Sequence, residues 1–175
     1  MKQFAFAGFL FVLLTSFIGK GTKLSQNYSN AEHKYEISYP KGWKVDESKG
    51  KENILFIGPI DTATKQPDGS VSILARVNDK VVPTPEVYSR SLKNLQTQLK
   101  DFKIIEEGEI FLGEVKSKYL VYQSKNESST QSSVQFFFSN GKTSFILEGK
   151  AAGETLGKYK ELYTDIAKTI KFSKK

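Results

Sequence analysis

Residues 34–45 read Lys-Tyr-Glu-Ile-Ser-Tyr-Pro-Lys-Gly-Trp-Lys-Val, and this stretch decides the fold. From Tyr35 onward, large apolar side chains alternate with polar ones, as they do on a strand that buries one face. Pro40 then ends regular pairing, because proline lacks a backbone donor and has a fixed φ. Gly42 allows a turn, and Trp43, the only tryptophan, is placed to fold back onto the apolar face.

Other apolar patterns predict more strands. Ile54–Ile57 is an unbroken apolar run, which is typical of a central strand buried on both faces. Further strands are predicted at Val71–Val77, Ile104–Leu112, Lys118–Gln123, Val134–Phe138 and Thr143–Leu147. Asn140-Gly141, between the last two, predicts a hairpin with a type I′ turn, in which both central residues need positive φ.

Two segments have helical periodicity. A first helix is predicted over residues 85–101, with Thr84 as the N-cap and Pro85 at the first helical position. Its apolar stripe consists of Tyr88, Leu92, Leu95, Leu99 and Phe102. A second helix is predicted over about 155–170, with its stripe on Leu156, Tyr159, Leu162, Tyr163, Ile166 and Ile170. Each helix has one apolar side and therefore needs a sheet face to cover.

The order strands, helix, strands, helix predicts an α+β domain with a mostly antiparallel sheet of about six to eight strands, flanked by helices. The pattern leaves open which sheet face each helix covers. The opening Tyr-x-Ile-x-Tyr-Pro-x-x-Trp, from Tyr35 to Trp43, resembles the start of PsbP-like domains, the family of the extrinsic oxygen-evolving-complex subunit. The element order from Lys34 to Phe172 also resembles theirs. The Ran-binding Mog family shares that fold, so the resemblance implies an α/β/α sandwich.

The resemblance also has implications for function. The photosynthetic members use a longer basic N-terminal extension that helps to retain calcium and chloride at photosystem II, whereas residues 22–33 here are short and mildly charged. The Ran-binding role belongs to cytosolic or nuclear proteins, whereas this chain begins like an exported one. The resemblance therefore implies an exported bacterial relative that acts as a binding or assembly module.

The N-terminus indicates export. After Lys2, residues 4–18 are uncharged and rich in Phe and Leu, which fits a signal-peptide core and is shorter than the ~20 residues needed to span a bilayer. We expect 1–21 to be a signal peptide, or an anchor through 4–18 if uncleaved, 22–33 a flexible lead, and 34–175 the PsbP-like domain. The chain has no cysteine, which excludes disulfides and lipoprotein acylation and fits a periplasmic or extracellular bacterial protein.

The charge pattern argues against a nucleic-acid partner. The 26 Lys and Arg exceed the 19 Asp and Glu, for a net charge of +7. The basic residues are spread along the chain among acids, with no run of five like charges. We therefore expect no nucleic acid and at most a weak attraction to anionic envelope surfaces.

No cluster of residues predicts catalysis, and we assign no catalytic, cofactor-binding or metal residues and no cofactor. His33 is the only histidine and is expected to be exposed, so a zinc site lacks ligands. The nucleophile-elbow, phosphate-loop and zinc-protease motifs do not occur. Glu106, Glu107 and Glu109 cluster on a predicted strand and are expected to be ordinary solvated acids.

The sequence thus predicts an exported, non-enzymatic binding or assembly module whose partner is another envelope protein. One alternative is an envelope carrier of a small apolar ligand, suggested by 13 Phe and 8 Tyr. Phe136-Phe137-Phe138 would be core if both sheet faces are covered and would line a groove if one is open. Another alternative is a hydrolase, which would need at least two acids meeting in a cleft with raised pKa values.

Overall fold

The computed structural model describes residues 22–125, 129–152 and 156–173. The strands are β1 (Leu24–Asn30), β2 (Tyr35–Pro40), β3 (Lys44–Asp46), β4 (Asn53–Ile57), β5 (Ser70–Val77), β6 (Lys100–Leu112), β7 (Val115–Lys125), β8 (Thr130–Asn140), β9 (Thr143–Ala152) and β10 (Lys171–Phe172). The helices are α1 (Thr84–Gln98), between β5 and β6, and α2 (Leu156–Lys168), between β9 and β10.

The strands form two antiparallel sheets. Seven lie in the order β3-β4-β5-β9-β8-β7-β6, and three form a small sheet in the order β1-β2-β10. The predicted α+β fold with a mostly antiparallel sheet is confirmed. The large sheet has seven strands, within the expected six to eight. The sequence did not predict the separate three-stranded sheet, because β1 within the predicted lead and the short β10 were not recognised.

One face of the large sheet is covered by α2 and the small sheet together. Tyr35 and Ile37 of β2 are each 1% exposed and Trp43 is also buried, so the opening stretch packs into this core as predicted. The Tyr35 ring meets Phe145 of β9 edge-on, 5.9 Å between centroids. Tyr163 of α2 lies directly over Gly149, where the missing side chain leaves room for its ring.

The opposite face is covered by α1, which packs against β7 and β8. The five side chains of the predicted stripe pack against a cluster that includes Leu120, Tyr122 and Phe137. The helix ends at Gln98 and not at 101, so Leu99 is its C-cap and Phe102 belongs to β6. Val121, between Leu120 and Tyr122, belongs to the α2 core instead. Since successive side chains of a strand point to opposite faces, the two helices lie on opposite faces of the sheet.

Several local predictions were wrong. The predicted flexible lead, 22–33, contains β1, which pairs with β2 from Leu24 to Asn30. In β4 only Ile54 and Phe56 are buried, because the other face of this strand has no helix over it.

Two element ends also differ from the predictions. Helix α1 begins at Thr84 itself, with Pro83 as the N-cap and no side-chain capping bond. Asn140 pairs with Thr143, so the two-residue hairpin loop is Gly141-Lys142. Only Gly141 has positive φ there, at 59°, which matches a type II′ turn and not the predicted type I′ turn.

The predicted signal peptide or anchor, residues 1–21, lies outside the described residues. Within the ranges that the structure describes, no helix has the length and apolar character to cross a membrane.

Candidate binding groove

Helix α1 is too narrow to cover its whole sheet face. Beside it, over β5 and β9, remains a groove of about 190 Å³, which we call the arginine groove. Its lining consists of Leu74, Arg76, Asn78, Val82, Val87, Arg90, Ser91, Asn94, Ser144 and Ile146.

The floor of the arginine groove is apolar. Leu74 of β5 pairs with Ile146 of β9, and both project to the α1 side of the sheet. Leu74 is 42% exposed, while Ile146 is half-buried against the α1 cluster. Val82 and Val87 close the floor at the start of α1 and are buried. The groove therefore offers a strip of aliphatic surface to a ligand.

The rim of the groove carries the only two arginines in the chain, Arg76 and Arg90. Arg90 forms an exposed ion pair with Glu86, one helical turn away. The Arg76 side chain makes no hydrogen bond or ion pair with any residue that the structure describes. Asn78 is held beside it, since its Nδ2 donates to Ser144 Oγ at 2.8 Å and to the Lys142 carbonyl at 3.0 Å.

A half-buried polar network lies on the same face, further along β9. Glu148 Oε1 accepts from the Tyr122 hydroxyl at 2.7 Å and from Gln135 Nε2 at 2.9 Å, and its Oε2 pairs with Lys150 at 2.9 Å. Burial, and then the Glu148 charge, raise the pKa of Tyr122 well above its ordinary value. Gln135 Oε1 is buried without a hydrogen-bond partner in the described chain. In this network, two hydrogen-bond donors and the Lys150 ammonium surround the half-buried carboxylate of Glu148.

The three acids singled out in the sequence are not brought together. Glu106 pairs with Lys160 and accepts from Tyr119, contacts that lower its pKa, with Lys160 the larger cause. Glu107 accepts from the Tyr88 hydroxyl on the other face. Glu109 pairs with Lys116 at 2.8 Å, which lowers the Glu109 pKa. Each acid thus has its own cationic or hydroxyl partner.

His33 does not lie where the sequence predicts. It is only 8% exposed, in the turn between β1 and β2, with its backbone amide donating to Asn30 Oδ1 at 2.9 Å. The turn folds the ring inward because β1, which the sequence did not reveal, holds this segment against the domain. The nearest acid oxygen to its Nε2 is on Glu32 at 4.0 Å, and no cluster of three or more metal-ligating side chains occurs within the described residues.

The phenylalanine run is core on both sides. Phe136 and Phe138 belong to the α2 core and Phe137 to the α1 cluster, each at most 1% exposed. The sequence did predict the aromatic core, but it missed the two arginines. Their rarity among 26 basic residues was the available signal, and only the β5–α1 connection brings them together.

A second exposed apolar surface lies on edge strand β6, where Ile105 is 50% and Phe111 63% exposed. Pairing of β6 with β7 is interrupted twice, at Lys100/Lys103 and at Ile104/Glu106. Irregular pairing and charged side chains are devices that protect an edge strand from further pairing. We therefore regard the arginine groove as the better candidate site.

Several solved structures have a similar fold. Cyanobacterial PsbP (CyanoP) from Synechocystis has a TM-score of 0.63 at 18% identity, over 91% of this chain and 99% of that one. LpqN, involved in cell envelope biogenesis of Mycobacterium tuberculosis, has a TM-score of 0.60 at 13% identity, over 85% and 90%. The Ran-binding protein Mog1p of Saccharomyces cerevisiae has a TM-score of 0.56 at 7% identity, over 84% and 94%.

At these identities the likeness establishes a PsbP/Mog1-like fold and nothing finer. The chain also matches half the length of a Bacteroides thetaiotaomicron protein, with a TM-score of 0.62 at 15% identity, over 87% of this chain. No protein-family model and no curated protein sequence matches the chain.

Proposed function

We propose that this protein is an exported, non-enzymatic binding or assembly module whose partner is another protein of the cell envelope. The observation that carries the proposal is the half-covered α1 face. There a solvated aliphatic strip lies beside two arginines, one of them without a partner among the described residues. The opposite face is mostly buried under α2 and the small sheet, and the groove of about 280 Å³ that remains beside α2 is bordered by the Glu106–Lys160 ion pair. Exposed apolar surface rimmed by polar groups is typical of protein-binding sites.

Two further observations support this function over the alternatives. The Phe136–Phe138 run, which would have lined a groove on an open face, is core on both faces, as in the stacked rings of Phe138 and Phe145, 5.2 Å apart. The acids that a hydrolase would need have separate partners, and the pKa values of Glu106 and Glu109 are lowered, not raised. The LpqN fold neighbour, involved in cell envelope biogenesis, supports an envelope setting, as does the apolar segment at residues 4–18.

The test is to isolate the tagged mature protein from its own cell envelope after mild crosslinking and to identify what accompanies it. We expect one exported protein in stoichiometric amount. Recovery of lipid or a small apolar molecule without an accompanying protein would support the ligand-carrier alternative in place of the binding module. A culture in which the protein stays in the cytoplasm would contradict the envelope assignment.

A further inference from the structure

We propose that the arginine groove binds an extended acidic segment of the partner, in which carboxylates alternate with aliphatic side chains. The inference rests on the proposed function, since it names the chemistry that the module would recognise. It commits to a peptide because the site combines apolar surface with guanidinium groups.

The exposed aliphatic surface of the groove is Leu74, which lies beside Arg76 on the same face of β5 because the two are alternate residues of the strand. Val77, the residue after Arg76, is 66% exposed but projects to the opposite face, where it lines a separate depression with Val81. A ligand that covers Leu74 gains hydrophobic stabilisation as well as contact with the guanidinium of Arg76.

The charges at the groove favour carboxylates. A guanidinium presents a planar fork that can hold a carboxylate through two parallel hydrogen bonds, which a lysine ammonium cannot do. Arg76 is available for such a contact, because its side chain has no partner among the described residues. Arg90 holds Glu86 only through an exposed pair, which is weak in water. Lys80 and Asp79 at the mouth offset one another in charge.

The spacing of the site matches an extended chain. Leu74 and Arg76 are alternate residues of one strand, so their side chains project from the same face about 7 Å apart. Alternate side chains of an extended ligand have the same spacing, which predicts the pattern Glu-x-Leu. Strand β5 pairs with β9 from Ser70 to Val77 and with β4 from Ser70 to Leu74, so at Leu74 both edges are occupied and a ligand there contacts the strand through side chains. A few side chains of a peptide would fill the groove, whose volume is about 190 Å³.

The experiment is an NMR titration of the isotope-labelled mature protein with the acetylated, amidated peptide Glu-Ser-Leu-Ser-Glu-Ser-Leu. We expect shifts of the amide signals of β5 and the first turns of α1. The matched peptide with Gln for Glu should bind at least tenfold more weakly. Arg76→Gln should weaken binding of the acidic peptide about tenfold, Arg76→Lys less, and Lys93→Gln, on the solvent side of the same helix, less than twofold.

Three results would overturn the inference: no shifts at millimolar peptide, equal binding of the Gln peptide, or an equal effect of Lys93→Gln. Vesicles containing phosphatidylglycerol serve as the competing probe. If the protein sediments with these vesicles, loses that binding in Arg76→Gln and does not bind the peptide, the groove binds an anionic lipid surface instead. Arg76 is exposed, so a well-dispersed spectrum of Arg76→Gln separates loss of binding from loss of fold.

Envelope capture separates the failure of this inference from that of the proposed function. If wild type and Arg76→Gln capture the same partner equally, the assignment of the groove is wrong and the binding-module function is still supported. If neither captures a protein while the peptide binds as described, the groove chemistry is supported and the envelope partner is contradicted.

Discussion

The two faces of the large sheet are covered in different ways. On the α2 face, a helix and a three-stranded sheet share the cover, and the core extends from β4 to β7. On the α1 face, a single helix covers β7 and β8 and leaves Leu74 of β5 in contact with water. A helix is about 10 Å wide and strands are spaced by about 4.8 Å, so one helix covers two to three strands. Most of the α2 face thus serves stability, and the groove left beside α2 is bordered by the Glu106–Lys160 ion pair. The α1 face has aliphatic surface and an arginine without a partner among the described residues left for a binding partner.

The largest difference between the faces should appear on truncation of buried rings. Phe145 is fully buried on the α2 face against Tyr35, Phe138 and Phe172. Phe145→Ala should lower the free energy of unfolding by about 3–5 kcal/mol, because it leaves a cavity in a core that cannot collapse. Leu74→Ala, at the corresponding strand pair on the α1 face, should lower it by less than about 1 kcal/mol.

Urea unfolding followed by tryptophan fluorescence measures both changes. Similar losses in the two variants would mean that the faces are packed alike and that Leu74 is not a surface residue.

The next effect is overpacking under α2. A methyl group at Gly149 would overlap the ring of Tyr163. Gly149→Ala should therefore destabilise the domain by about 1–3 kcal/mol, because helix and sheet must move apart. Gly157→Ala is the control, since a methyl group there meets no atom within 4 Å and alanine favours helix. Thermal unfolding should show a lower Tm for the first and an equal or higher Tm for the second. A Tm unchanged by Gly149→Ala would contradict the close contact.

The polar network on the α1 face should have a smaller effect. Tyr122→Phe removes one of the donors to the half-buried Glu148 and should cost about 1–2 kcal/mol in unfolding free energy. Tyr119→Phe removes a bond of similar length, 2.8 Å, to the exposed Glu106 and should cost under about 0.5 kcal/mol. Equal losses, measured in urea, would show that Glu148 is as well hydrated as Glu106.

The smallest effect concerns pH and the exposed pair that joins α2 to β6. Lys160 lowers the folded-state pKa of Glu106 below its ordinary value of 4.5. The resulting stabilisation is therefore complete above pH 4.5 and is lost as pH falls through the lower folded-state pKa. Lys160→Met should reduce stability by less than about 1 kcal/mol at pH 6 and by still less near the acid end. Lys93→Met should show no such pH dependence; the same pH dependence in both would contradict the pair.

Sequence patterns predicted most of the fold because it depends on local periodicity. The alternation after Tyr35, the α1 stripe from Tyr88 to Leu95 and the α2 stripe from Tyr159 to Ile166 are present in the structure, since each pattern records which side of an element is buried. The missed β1 is a polar segment whose strand comes from pairing with β2 and not from its own residues. The burial of His33 follows from the same pairing, so the sequence did not predict it either.

The candidate site was harder to predict, because it arises from incomplete cover. Leu74 stands out in the alternation of β5 as an apolar residue on the polar side, and only the position of α1 shows that it remains exposed. Arg76 and Arg90 are 14 positions apart on different elements, and no spacing rule joins a strand to the helix that follows it. Whether residues 1–21 are a cleaved leader stays a prediction.

The most direct test of the central claim is site-specific photocrosslinking in the native cell envelope. A photoreactive residue would replace Leu74 on the α1 face in one strain and Lys93 on the solvent side of α1 in another. We predict one dominant adduct at position 74, identified by mass spectrometry as an exported protein, and none above background at position 93. Equal labelling at both positions, or an adduct only at position 93, would contradict the account that the open face is the binding face.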